Sequence, residues 1–173
     1  MAGDPAVRIP RPRQAGFTLI EVMVVVAIIG ILAAMAFGMG ARTLRHRNLA
    51  DKTRDTYSAL LLARTTAISK GVHGVVTFNT NRVIAFVDDT PRNNTQDSAE
   101  KVLKDVTLPP GVTVSANFEV ISTKATAIFD STGFCVDSSY GMVGADKTAT
   151  VTDSVTGETM TITVSPAGST KVR

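Results

Sequence analysis

The chain has 173 residues, 44% apolar and 5% aromatic, with 18 Lys and Arg against 15 Asp and Glu for a formal charge of +3. That length holds one domain plus a short additional segment. So small a charge excludes a nucleic-acid binder driven by bulk attraction, and a single cysteine, Cys135, excludes an intramolecular disulfide.

Residues 1–16 carry Pro5, Pro10 and Pro12, with Arg8, Arg11 and Arg13 against Asp4. They read as a basic leader that forms no element of its own. Its charge is +2, so the chain without it carries +1. Next comes Gly16-Phe17-Thr18-Leu19-Ile20-Glu21, and from Val22 to Ala41 there is no charged residue. About 20 apolar residues suffice for a membrane-spanning helix. Glu21 stands at the start of that run, where an unpaired charge in hydrocarbon costs on the order of 3 kcal/mol. Cleavage between Gly16 and Phe17 would create a free α-amine four residues from this carboxylate, a cation that offsets the cost. The competing reading is an ordinary secretory signal, with a basic start, an apolar run and a cut after Ala36 in Ala34-Met35-Ala36. Glu21 interrupts the apolar region and the region is too long for such a signal, so both features oppose it. Arg42, Arg45, Arg47, Lys52 and Arg54 follow the run and outnumber the leader arginines. The positive-inside rule therefore does not by itself put the N-terminus in the cytoplasm.

A helix is predicted to continue from Ala41 to Lys70, with Tyr57, Leu60, Leu61, Ala67 and Ile68 on one stripe and Gly71 as its stop. Helix from Phe17 to Lys70 would be roughly 80 Å long at 1.5 Å per residue, more than a domain of this size can bury. Gly38 and Gly40 weaken the middle, each by roughly 1 kcal/mol relative to alanine.

Beyond Gly71 the apolar period becomes two. Strands are predicted at Val72–Phe78, Val83–Val87, Val102–Leu108, Val112–Ala116, Ala125–Phe129, Thr148–Thr152 and Thr159–Ser165. Turn residues separate them at Asn79-Thr80-Asn81, Pro109-Pro110-Gly111, Ser131-Thr132-Gly133 and Thr156-Gly157. Short turns imply antiparallel pairing, and Asp88 to Ala99 reads as a polar, solvated loop. The fold class is α+β, with a long N-terminal helix running into an antiparallel sheet domain.

The residues from Gln14 to about Ala41, with Gly16-Phe17-Thr18-Leu19-Ile20-Glu21-Val22 at their centre, resemble the type III signal of type IV prepilins and pseudopilins. The resemblance implies that a prepilin peptidase cuts between Gly16 and Phe17 and methylates Phe17. It implies further that Glu21 neutralises the N-terminal amine of a neighbouring subunit during filament assembly. It also places the N-terminus in the cytoplasm and the globular part in the periplasm. A second resemblance lies further on, to minor pilins and pseudopilins of the GspH/FimT-like type. Leu60 to Gly71, Leu108-Pro109-Pro110-Gly111, Phe129-Asp130-Ser131-Thr132-Gly133 and the tail Gly168-Ser169-Thr170-Lys171-Val172-Arg173 carry it. Some minor pilins of DNA-uptake systems use basic residues after such a glycine, which makes Lys171 and Arg173 candidate DNA contacts. Two such cations would neutralise about two phosphates, each contributing roughly −0.9 to the salt slope.

Other candidates for chemistry are few. Arg64 falls within the apolar stripe, and a structural ion pair with Asp130 is expected. Cys135, between Phe134 and Val136, reads as a buried, inert thiol. Gly141 to Thr148 echoes a phosphate loop, but Asp146 replaces the glycine that should precede Lys147, so it reads as a turn. His46 and His73, with one cysteine, do not complete a four-ligand zinc site. Asp88, Asp89 and Asp97 are not at calcium-loop spacing. No nucleophile elbow is present, so neither an enzyme nor a cofactor is expected.

The expected organisation is a leader at 1–16, a transmembrane and assembly helix at 17–41, a periplasmic helix half at 42–70 and a β-rich domain at 71–173. The expected partners are the prepilin peptidase, other pilin or pseudopilin subunits, inner-membrane lipid and, on the alternative, DNA. A type II secretion pseudopilus and a retractile type IV pilus are equally compatible with these residues.

Overall fold

The computed structural model describes residues 16–89 and 92–173, without the side chains of 36–41. The expected leader lies outside the described residues, apart from Gly16, and at the Ala36 cleavage site, Gly38 and Gly40 only the helical backbone is described. The chain divides into two compact units, Met1–Gly40 and Ala41–Arg173.

Helix α1 runs from Leu19 to Lys70, beginning in the first unit and continuing in the second. Within the first unit every described side chain from Gly16 to Met35 is exposed. Among the described residues no helix is long and apolar enough to cross a membrane; the described apolar side chains end at Met35, short of the expected limit at Ala41.

In the second unit α1 buries a narrow stripe, Leu49, Thr53, Thr56, Leu60, Ala63 and Ala67 at alternating spacings of four and three, with Ala59 and Thr66 beside it. This corrects the predicted stripe, because Ile68 is 48% exposed and Tyr57 and Leu61 are only partly buried. The physical reason lies in two threonines. Thr53 Oγ1 donates to the Leu49 carbonyl at 2.8 Å and Thr56 Oγ1 to the Lys52 carbonyl at 2.9 Å. With their hydroxyls satisfied inside the helix, both can face the core with little desolvation cost. The helix ends as predicted ahead of Gly71, where the Val72 N–H reaches back to the Ala67 carbonyl.

Two antiparallel sheets complete this unit. The first holds β1 (His73–Asn79), β2 (Arg82–Asp88), β3 (Val102–Thr107), β5 (Glu119–Ile121), β6 (Lys124–Phe129) and β7 (Cys135–Val136). Its order is β3-β2-β1-β6-β5, with β7 also paired to β6. The second holds β4 (Val112–Ala116), β8 (Lys147–Asp153), β9 (Thr159–Val164) and β10 (Thr170–Val172), in the order β10-β9-β8-β4. The seven predicted strands are all present, within two residues at each end. The short β5, β7 and β10 are additions, too brief to show a period of two.

One core fills the space between α1 and both sheets. Val76, Phe78, Val83, Ala85, Val106, Ala127 and Phe129 reach it from the first sheet, and Val114, Ala149, Val151, Ile162 and Val164 from the second. Phe78 of β1 stacks on Phe118, in the connection between β4 and β5, with ring centroids 5.3 Å apart. Alternate residues of the first sheet, Val75, Ile84, Phe86 and Ile128, form a separate cluster on its other face with Val136. That face is why β1 and β2 are buried on both sides.

Candidate processing and assembly site

The sequence candidates separate into a segment in the first unit and several features of the second. In the first, Gly16 and Phe17 precede α1 outside any helix or strand, and Phe17 is 82% exposed. A peptidase needs unfolded, accessible backbone at the bond it cuts, and both conditions hold there. Thr18 caps the helix: its Oγ1 accepts the Glu21 N–H at 3.3 Å, and its carbonyl accepts the same N–H at 3.1 Å. Thr-x-x-Glu is the sequence pattern of a capping box, legible at Thr18 and Glu21. It gives Glu21 a local role, since a carboxylate in the first turn also favours the helix dipole. Phe17 and Glu21 line one shallow groove with Val22, Val25 and Val26. The backbone nitrogen of Phe17 and the carboxylate of Glu21 thus belong to one short, exposed segment.

Lys171 and Arg173 are exposed, as a binding role needs, but they do not form a loose tail. Lys171 pairs with Thr163 in β10, and Arg173 exchanges both backbone hydrogen bonds with Thr161.

The expected Arg64–Asp130 ion pair does not form. Arg64 Nε donates to the Gly133 carbonyl at 2.9 Å and Nη2 to the Ala167 carbonyl at 3.0 Å. Two carbonyls at loop ends satisfy the guanidinium without a carboxylate, and they tie α1 to both the β6–β7 and β9–β10 turns. Asp130 turns inward on its own loop, accepting from Thr132 and from the Phe134 N–H. Burial works to raise its pKa, but the hydrogen bonds from Thr132, Phe134 and Gly133 outweigh it and leave it lowered. Gly168 completes the clamp at φ +75°; a Cβ there would strike the Gly133 carbonyl and lie 2.6 Å from Arg64 Nε. Arg64 therefore bonds the end of the Phe129–Gly133 segment and the residue just ahead of the Gly168–Arg173 tail, two of the segments that carried the second resemblance.

Most described residues of the acidic loop from Asp88 to Ala99 are exposed, as expected, but its first carboxylate is not. Asp88 is fully buried and accepts the backbone N–H groups of Asn93 at 3.3 Å and Asn94 at 2.8 Å. Glu100, 7% exposed, accepts the Asp97 N–H at 2.8 Å through one oxygen while the other has no partner. Desolvation, with Asp88 close by, pushes its pKa up to about 7. Burial also pushes the Cys135 thiol up to about 11, which fits the expected inert cysteine. His73 packs against Tyr140 with ring centroids 4.6 Å apart and planes tilted by 30°, and burial lowers its pKa. Among the described residues no group of His, Cys, Asp and Glu side chains could hold a metal.

Comparison with known proteins decides the family. Residues 11–37 match the prokaryotic N-terminal methylation motif, and residues 52–168 match the type II transport protein GspH, more than half of the chain. This chain belongs to the GspH family. It is a minor pilin or pseudopilin with an N-terminal methylation motif. Two solved structures share the GspH-family fold. The type IV minor pilin FimU of Pseudomonas aeruginosa superposes with a TM-score of 0.56 at 13% identity, over 75% of this chain and 90% of FimU. The minor pseudopilin EpsH from the type II secretion system of Vibrio cholerae gives 0.51 at 14% identity, over 73% of this chain and 93% of EpsH. Among curated proteins no sequence relative matches.

Proposed function

We propose that this GspH-family subunit is cut between Gly16 and Phe17 by a prepilin peptidase, methylated on Phe17, and held in the inner membrane by the helix that follows. Its globular unit then faces the periplasm, and the subunit is extracted into a type II secretion pseudopilus or a type IV pilus. The observation that carries this is the position of Gly16, Phe17 and Glu21: an exposed bond at the expected cut, a capped helix start and an acid at one end of an apolar helical stretch whose described side chains are exposed to Met35. In a filament that apolar surface packs on other helices. Glu21 then pairs with the Phe17 amine of a neighbour, exchanging an unpaired charge in lipid for a charge pair. The subunit works by assembly and performs no catalysis.

Mass spectrometry of the mature chain from host membranes is the first test. A chain beginning at methylated Phe17 is expected; one beginning at Phe37 in the soluble fraction would mean an ordinary signal and end this proposal. Glu21→Ala is expected to be cleaved normally yet absent from filaments, and normal incorporation would remove the pairing role.

A DNA-binding pilus subunit is the second reading, favoured by the exposure of Lys171 and Arg173 beside one another at β10. A gel shift that disappears when both become alanine would support it, and no shift at low salt would end it.

A further inference from the structure

The helix segment from Arg42 to Arg54 carries five Lys and Arg residues against one acid, Asp51. Cations on the outer side of a membrane helix run against the positive-inside tendency, so their fate in the fold is informative. The second unit neutralises some of them. Arg45 lies 3.8 Å from Asp153, a carboxylate that is 1% exposed, and Lys52 lies 3.5 Å from Asp55. His46 Nδ1 meets Glu158 at 2.9 Å. Arg42, Arg47 and Arg54 are left exposed, with no carboxylate at ion-pair distance among the described residues, and Arg42 and Arg47 are the two of these nearest the start of the unit. Between them Leu44 is 61% exposed. The Pro109–Gly111 and Asp153–Glu158 turns close on the same place. A Cβ at Gly111 would lie 3.6 Å from Val155 and 3.8 Å from Arg45 Nη1, and Val155 is itself 64% exposed.

The end of the unit at which the chain enters thus presents two exposed guanidiniums and two bare aliphatic side chains. A soluble polyanion would complement the arginines but leave Leu44 and Val155 in water. An anionic bilayer surface complements both, with phosphates for the guanidiniums and the acyl boundary for the aliphatic groups. We propose that Arg42, Leu44, Arg47 and Val155 form an interfacial patch that binds anionic phospholipid headgroups of the leaflet facing the globular unit. This rests on the membrane anchoring proposed above. The patch sets the depth at which the subunit waits and selects anionic lipid around it. Each guanidinium contributes a preference of roughly fivefold near an anionic surface. Arg45 is held by Asp153 and positions the Asp153–Glu158 turn beside the patch.

Because the chain contains no tryptophan, single indole reporters test this directly. The full chain carrying Leu44→Trp is reconstituted in vesicles of phosphatidylcholine with phosphatidylglycerol, either lipid brominated in turn. Leu32→Trp serves as a control inside the apolar helix. Expected is quenching of the Leu32→Trp reporter by both lipids, and of the Leu44→Trp reporter several-fold more by brominated phosphatidylglycerol. That preference should fall with salt, disappear in Arg42→Gln/Arg47→Gln, and survive added inorganic phosphate. Equal quenching of the Leu44→Trp reporter by the two lipids, or a preference unchanged in the double variant, overturns the patch while leaving the anchor intact. Loss of the preference to inorganic phosphate assigns the arginines to free phosphate and also overturns it. An unquenched Leu32→Trp reporter overturns the anchoring on which the patch rests.

Discussion

One helix, α1, lives in two different surroundings. From Leu19 to Met35 every side chain is exposed, most of them large and aliphatic. From Leu49 to Ala67 only one narrow stripe is buried, and it is made of threonine and alanine as much as leucine. The more apolar segment is the one the fold does not cover. A globular core needs a few close contacts at the right spacing, so small residues suffice there. A uniformly aliphatic cylinder has no preferred face and suits a medium that surrounds it, whether lipid or the helices of other subunits.

The sharpest way to break this comparison is to truncate one leucine-sized side chain in each part. Leu60→Ala should destabilise the globular unit by about 2–5 kcal/mol, as buried leucines do. Ile28→Ala should change it by less than about 0.5 kcal/mol, as exposed sites do. Urea unfolding of the full chain in detergent, followed by circular dichroism, measures both; equal losses would erase the distinction. A smaller effect is expected from Arg64→Ala, which leaves the Gly133 and Ala167 carbonyls without their donor. Charged hydrogen bonds of this kind contribute about 1.5–3 kcal/mol, less what water recovers. Arg64→Lys should restore little, because one ammonium does not span two carbonyls as the guanidinium fork does. Full stability in Arg64→Ala would mean that the clamp is incidental.

The smallest effect concerns pH. Glu100 has its pKa raised from 4.5 to about 7 in the fold, so between those values the folded state holds more protons than the unfolded state. Its contribution to stability is then present below pH 4.5 and is lost as pH rises through 7. His73, lowered by burial, acts in the opposite sense below its ordinary value of 6.5. Glu100→Gln should therefore remove the fall in the urea midpoint on the alkaline side while sparing the one on the acid side. A midpoint with the same pH profile as the parent chain would show that Glu100 is not the group responsible.

The sequence by itself determined the features whose determinants are contiguous. Gly16, Phe17 and Glu21 form one short segment, and the apolar run beside them needs no partner to be recognised. Most strands declared themselves through alternation, and their turns through Gly, Pro and Asn. Thr18 could have been read as the helix cap from Thr-x-x-Glu alone. The tertiary structure decided whatever depends on the groups that lie opposite. Thr53 and Thr56 face the core because their hydroxyls are satisfied within the helix, which composition scores as polar. Arg64 chose two carbonyls 69 and 103 residues away over the expected carboxylate. Asp88 is buried because backbone N–H groups from its own loop fold back onto it, and Lys171 and Arg173 lie along an edge strand because β9 was there to pair. A residue's type states what it can bond to; only the packed chain determines which partner comes within reach.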